Sequence, residues 1–94
     1  MIFAKSTTYT INPEKMKPFL DYLFVLTKKV RMLELNLSFE YGIADDDKIV
    51  LVERWSSKQS YDDFAKIDEF KKELDTLAKM SKTVVVNFEL TTVK

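Results

Sequence analysis

Glu53, Trp55 and Tyr61 are the residues whose types and spacing best fit chemistry in this chain. They sit in one stretch, Ile49-Val50-Leu51-Val52-Glu53-Arg54-Trp55, followed by Ser56-Ser57-Lys58-Gln59-Ser60-Tyr61-Asp62-Asp63-Phe64 and then Asp68-Glu69-Phe70. It reads as a strand that ends on a Trp, stops on two hydroxyl residues and turns into helix. Ligands favour such junctions, where loops are held by rigid elements and backbone groups remain free. Strand alternation puts Glu53 on the face of Trp55 and Arg54 on the opposite one. An inward carboxylate needs a partner or takes up a proton. Glu53 is thus a candidate base, with an ion pair to Arg54 of a second copy, or to a helix lysine, as the structural alternative. The Tyr61 phenol could donate to a substrate oxygen and favour its anion, or pack a first helical turn with its hydroxyl in solvent. Trp55 either lines a pocket or fills the core with its indole N–H on a backbone acceptor. Asn36, Ser38, Ser6 and Thr8 are further polar groups available to a pocket.

The chain has no Cys and no His. That excludes a zinc site of ordinary type, a thiolate nucleophile, a Ser–His pair and an imidazole ligand for haem iron. Acid–base work falls to Asp, Glu, Lys, Tyr or Arg, or to the substrate, and no metal or cofactor is expected. Asp45-Asp46-Asp47 lacks the Gly and the closing Glu of a calcium loop and reads as a solvated turn. Fifteen basic residues balance fifteen acidic ones without a block of either sign, so neither nucleic acid nor a membrane surface is an expected partner. Met1-Ile2-Phe3-Ala4-Lys5 does not resemble a secretion signal. No apolar run approaches the roughly 20 residues of a membrane span, and a cytoplasmic location is expected.

The positioning elements follow from periodicity. Residues 2–11 alternate, with Phe3, Lys5, Thr7, Tyr9 and Ile11 on one face and Ile2, Ala4, Ser6, Thr8 and Thr10 on the other, which predicts a strand. Both faces carry polar residues, as expected where one lines a pocket. Asn12-Pro13-Glu14 predicts a helix start with Asn12 at the N-cap. Met16, Phe19, Leu20, Leu23, Phe24, Leu26, Val30 and Leu33 then recur at helical spacing to about Glu34. From Leu35 to Ile43 the period becomes two. Asp45 to Lys48 turn the chain, and Ile49 to Trp55 return it as a hairpin. Ser56 or Ser57 caps a short helix with Tyr61, Phe64 and Ala65 on its apolar side. Asp68 opens another, with Ile67, Phe70, Leu74, Leu77 and Met80 in a stripe. Thr83 to Val93 reads as the last strand, and its leading Val84-Val85-Val86 predicts cover on both faces.

Strand, helix, strand, strand, helix, strand over residues 1–94 makes one domain. Its class is α+β, a ferredoxin-like βαββαβ chain with a four-stranded antiparallel sheet and the helices on one face. A chain of this length buries only roughly 60–65% of its unfolded surface, so a partner subunit would help it. The open sheet face, which is not uniformly polar, also needs a cover.

Val50-Leu51-Val52-Glu53-Arg54-Trp55, then Ser56, Tyr61 and the later Phe70-Lys71-Lys72, resembles the signature of the antibiotic biosynthesis monooxygenase family. The resemblance extends over nearly the whole chain in length and element order. It implies a homodimer in which two sheets pack face to face as a dimeric α+β barrel, each protomer keeping a cavity between its sheet and helices. In polyketide-oxidising members a Trp at this place and a Tyr six residues later hold a phenolic substrate, and Trp55 and Tyr61 match both positions. With the residues read from the strand and helix pattern, the candidate substrate-binding set is Trp55, Asn36 and Phe64, and Tyr61 and Glu53 are the candidate catalytic groups. The chain also departs from the pattern. Leu51 replaces an Asn four residues before the Trp, and Phe64 a His three residues after the Tyr. Leu74 stands where haem-degrading relatives place their iron ligand.

The implied function is a cofactor-independent monooxygenase acting on a small phenolic or quinol-type substrate, whose anion passes an electron to oxygen in a dry pocket. A non-catalytic small-molecule-binding or interaction module of the same fold is the alternative, favoured by Leu51, Phe64 and the missing His. A third reading is an isomerase or decyclase. An RNA-binding sheet of this topology would need stacking aromatics and basic residues that the central strand lacks.

Overall fold

The computed structural model describes residues 1–93. The alternating segment Phe3–Thr10 forms β1, and the chain continues through a 3-10 turn at Pro13–Lys15 into helix α1, Met16–Arg31. Strands β2, Asn36–Asp45, and β3, Lys48–Trp55, make the hairpin. Helices α2, Lys58–Lys66, and α3, Asp68–Lys79, lead to β4, Thr83–Thr91. The sheet order is β2-β3-β1-β4 with every neighbouring pair antiparallel. The three helices lie on one face, the ferredoxin-like arrangement.

The first helix is shorter than its periodicity predicts. Pro18 has no N–H for the Glu14 carbonyl, so the α-helical ladder cannot begin at Pro13. The opening turn tightens to 3-10 geometry instead, with Lys15 N–H donating to the Asn12 carbonyl at 2.8 Å. Asn12 makes no side-chain cap hydrogen bond. At the other end the N–H groups of Met32 and Leu33 return to the carbonyls of Lys29 and Val30, and the helix closes before Glu34. Of the two expected caps, Ser56 and Ser57, it is Ser57 that caps α2: its Oγ accepts from the Ser60 N–H at 3.1 Å. Ile67, with extended backbone, separates α2 from α3 and is half-exposed, outside the apolar stripe predicted for it.

The core between sheet and helices is built on Phe3, Tyr9, Phe19, Phe39, Leu51 and Trp55. Two expectations about the strands are corrected. In β2 only Phe39 of the alternating apolar set is fully buried, while Leu35, Leu37 and Ile43 are exposed. Leu37 is bulged out of register, because Asn36 pairs with Trp55 and Ser38 with Arg54. Strand β4 is not covered on both faces: it is an edge strand, exposed along its whole length.

Parity assigns the two faces of the sheet. Phe3, Lys5, Thr7 and Tyr9 of β1 and Ile49, Leu51, Glu53 and Trp55 of β3 point at the helices. Ala4, Ser6 and Thr8 share the open face with Val50, Val52 and Arg54. A bulge in β4 sets Ser6 opposite Phe88 and Thr7 opposite Val86, leaving Asn87 between them. Its amide donates to Thr8 Oγ1 at 2.7 Å and Ser6 Oγ at 3.1 Å, so a polar seam crosses the open face.

Candidate functional site

An acid, a phenol and a lysine meet where β1 and β3 face the α2–α3 segment. Lys5 on β1 is paired across the sheet with Glu53 on β3 and with Glu89 on β4. Glu53 is 4% exposed. Trp55, two residues on and 1% exposed, donates its indole N–H to Glu53 Oε1 at 2.9 Å. The indole partner is therefore a carboxylate, not the backbone carbonyl of a purely structural Trp. Among the described residues no donor reaches Glu53's second oxygen. It is also not sealed off, since Thr27 Oγ1 is the buried side-chain polar atom left without a partner among the described residues. A cavity of about 130 Å³ opens beside it, lined by Lys5, Thr7, Tyr9, Glu53 and Tyr61 on its polar side. Leu74 of α3 and Val84 and Val86 of β4 supply the apolar wall.

Tyr61 enters from the first turns of α2, which Ser57 holds in place. Its hydroxyl accepts a 2.6 Å hydrogen bond from Lys5 Nζ. Its ring packs against Phe3, with centroids 5.2 Å apart, and stands edge-on to Trp55 at 6.2 Å. Phe64, one turn further on, stacks on the indole at 4.5 Å and passes the contact to Phe70. This aromatic array fixes the indole and, through its N–H, the carboxylate.

Sequence reasoning thus named two cavity-lining residues, Glu53 and Tyr61. Trp55 and Phe64 lie outside that cavity and line a separate apolar cleft of about 260 Å³ with Leu33, Leu35, Ser60 and Ile67. Asn36 is elsewhere: its amide donates to the carbonyls of Ser38 and Arg54 and pins the β2 bulge. Ser6 and Thr8 belong to the seam on the open face, and Ser38 pairs with Arg54 on that face. Lys5, Thr7 and Tyr9 were not singled out. The signal was a lysine at a core-facing position between Phe3 and Tyr9, in a strand whose two faces were both polar. A larger groove of about 510 Å³ between α1 and β2, lined by Phe24, Thr27, Lys28, Arg31, Glu40 and Tyr41, contains no buried acid.

Burial drives the Glu53 carboxyl above the ordinary range. The Trp55 N–H and Lys5 oppose that shift, and Glu89 adds to it. Burial also raises the Tyr9 hydroxyl, helped by the neighbouring Glu53 and Tyr61. The folded chain accordingly holds the Glu53 proton more tightly than the unfolded chain does. That stabilisation is fully present below the unfolded value of about 4.3 and is lost as pH rises through the folded one. Urea midpoints of the native protein, taken relative to Glu53→Gln, should decline as pH rises from about 4.3; a difference independent of pH would contradict the shift.

A four-stranded antiparallel sheet with its helices on one face defines a ferredoxin-like α+β protein, here with a small cavity lined by an acid and a phenol. The profile of the antibiotic biosynthesis monooxygenase family matches residues 2–74, and the chain belongs to that family. A solved antibiotic biosynthesis monooxygenase superposes with a TM-score of 0.85 at 18% identity over 100% of both chains. A conserved protein from Methanosarcina mazei Go1 gives 0.83 at 17% identity, over 93% of this chain and 89% of that one. A Caulobacter crescentus CB15 protein assigned to the same monooxygenases gives 0.86 at 16% identity, over 99% and 91%. At these identities the structures establish the shared fold. No curated protein matches the sequence. Among the described residues no group of three or more Asp or Glu could hold a metal ion, and no helix is long and apolar enough to cross a membrane.

Proposed function

We propose that this chain is a monooxygenase that oxidises a single-ring phenol or hydroquinone with molecular oxygen in the cavity of Lys5, Glu53 and Tyr61. The observation that carries the reading is the pairing, in one small space, of a carboxylate with a free oxygen and a phenol hydroxyl held by an ammonium. At about 130 Å³ the cavity is a little smaller than the roughly 150 Å³ that accepts benzene, which leaves no room for a fused ring system. A raised carboxyl is a better proton acceptor near neutral pH than an ordinary one.

In this reaction the substrate hydroxyl gives its proton to Glu53 and its oxygen is held by the Tyr61 hydroxyl. The phenolate passes one electron to oxygen, and the resulting aryloxyl radical and superoxide join at a ring carbon. The peroxide takes back the proton from Glu53. Loss of the ring C–H proton and cleavage of the O–O bond then leave a quinone and one water. Oxygen is the only oxidant required, and the reading needs neither metal nor flavin.

A second copy of the chain is the proposed cover for the open face, where Val52, Val85, Phe88 and Leu90 remain 36–54% exposed. The rival reading, a binding module without chemistry, is favoured by Leu51 and Phe64, which are core residues here. Oxygen uptake by the purified protein with a panel of hydroquinones and simple phenols separates the two, run beside a Trp55→Phe/Tyr61→Phe double variant. Uptake above autoxidation by the native protein alone is expected; none with any member would leave the binding module.

A further inference from the structure

The hydrogen-bond accounting at Tyr61 singles out Lys5. A phenol hydroxyl has one proton to donate and two lone pairs, whereas an ammonium can only donate. In the 2.6 Å contact Lys5 is therefore the donor and the Tyr61 oxygen the acceptor. The Tyr61 proton cannot point back at the ammonium. No acceptor takes it among the described residues, and Tyr61 lines the cavity. Accepting from a cation also polarises the O–H and makes it a stronger donor.

Lys5 is held for this task. It sits at a core-facing position of β1 between Glu53 and Glu89 on the neighbouring strands, yet it forms no ion pair among the described residues. Its ammonium lies 4.7 Å from the centre of the Tyr61 ring. Lys58 also approaches that ring, at 5.6 Å, but bonds to Asp62 at 2.6 Å.

We propose that Lys5 is a positioning residue: by occupying the acceptor side of the Tyr61 oxygen it turns the Tyr61 O–H into the cavity, where it selects the ionised form of a single-ring phenol. The inference rests on the placement of a phenol in this cavity under the function proposed above. Transfer of the ligand proton to Glu53 leaves the net charge of the site unchanged. Tyr9 on β1 and Glu89 on β4 are titratable groups that face Lys5 and Glu53 from the flanking strands.

The test uses 4-nitrophenol, whose phenolate is read by its visible absorbance and whose ring is too electron-poor to reduce oxygen. Its binding is titrated against pH with the native protein, Lys5→Met, Lys5→Arg, Tyr61→Phe and the Lys5→Met/Tyr61→Phe double variant. The native protein should lower the ionisation midpoint of the bound phenol. Lys5→Met and Tyr61→Phe should each weaken phenolate binding about tenfold or more, the range of a hydrogen bond to a charged group. Lys5→Arg should restore most of it. Because Lys5 acts through Tyr61, the double variant should be no weaker than Tyr61→Phe alone. Multiplying effects in the double variant, an unaffected Lys5→Met, or native protein that binds phenol and phenolate equally would each overturn the inference. Should Lys5→Met fail to fold by circular dichroism, Lys5→Gln takes its place, and binding equal to that of Lys5→Arg overturns the role of the charge. Phenolate selectivity without oxygen uptake would remove the oxygenase reading alone.

Discussion

Glu53→Gln lowers oxygen uptake about a hundredfold or more, the usual worth of a positioned general base, and leaves the fold at least as stable as before. Glutamine keeps an oxygen to accept the Trp55 N–H, which in the native protein reaches Glu53 Oε1 at 2.9 Å. What disappears is the ability to take up a proton at the oxygen beside the cavity. Stability does not fall because the native carboxylate is desolvated with one direct donor among the described residues, a situation that favours a neutral group. Oxygen-electrode rates and urea unfolding on the same preparation check both halves. Near-native uptake in Glu53→Gln would move proton acceptance to another group or to solvent.

Trp55→Ala is expected to cost about 3–5 kcal/mol of folding stability. The side chain is 1% exposed, with its ring centroid 4.5 Å from that of Phe64 and 6.2 Å from that of Tyr61. For a domain whose whole stability is about 5–15 kcal/mol, such a loss makes unfolding at ordinary temperature measurable. Trp55→Phe separates packing from polarity. It retains most of the apolar area but leaves Glu53 Oε1 without a donor, at a cost of about 1–3 kcal/mol. The Glu53 carboxyl then rises further. Equal urea midpoints for the native protein and Trp55→Phe would mean that the N–H contributes nothing net.

The fold was legible because its period changes are clear. Helical spacing from Met16, alternation into β3, Ser57 at the cap and Asp68 after a break all reappear in the structure. Helix length was misjudged at its start, since the effect of Pro18 on the Glu14 carbonyl is a matter of ladder bookkeeping and not of apolar pattern. The three valines of β4 misled for a different reason. A run of β-branched residues marks a strand, but only topology says whether that strand is central or at an edge. For the site, parity alone put Glu53 beside Trp55. Lys5 escaped because one lysine in a strand is ordinarily a solvated residue, and only the position of Tyr61 on α2 gives it a partner. Asn36 was drawn in by its polarity at a strand start, where its work is to satisfy two carbonyls of a bulge.

The β1–β4 pairing also bears on the order of assembly. Two walls of the cavity, Lys5 to Tyr9 and Val84 to Val86, come from strands far apart in sequence, with Phe3 opposite Thr91. The β2–β3 hairpin and the helices close through short loops, but this pairing closes nearly the full chain and is penalised most by loop entropy. A folding chain therefore gains its hairpin, with Glu53 and Trp55 already adjacent, before it has any enclosed space in which to use them. The pocket is a late product of folding, and conditions that loosen β4 first would open it while most of the sheet is still intact.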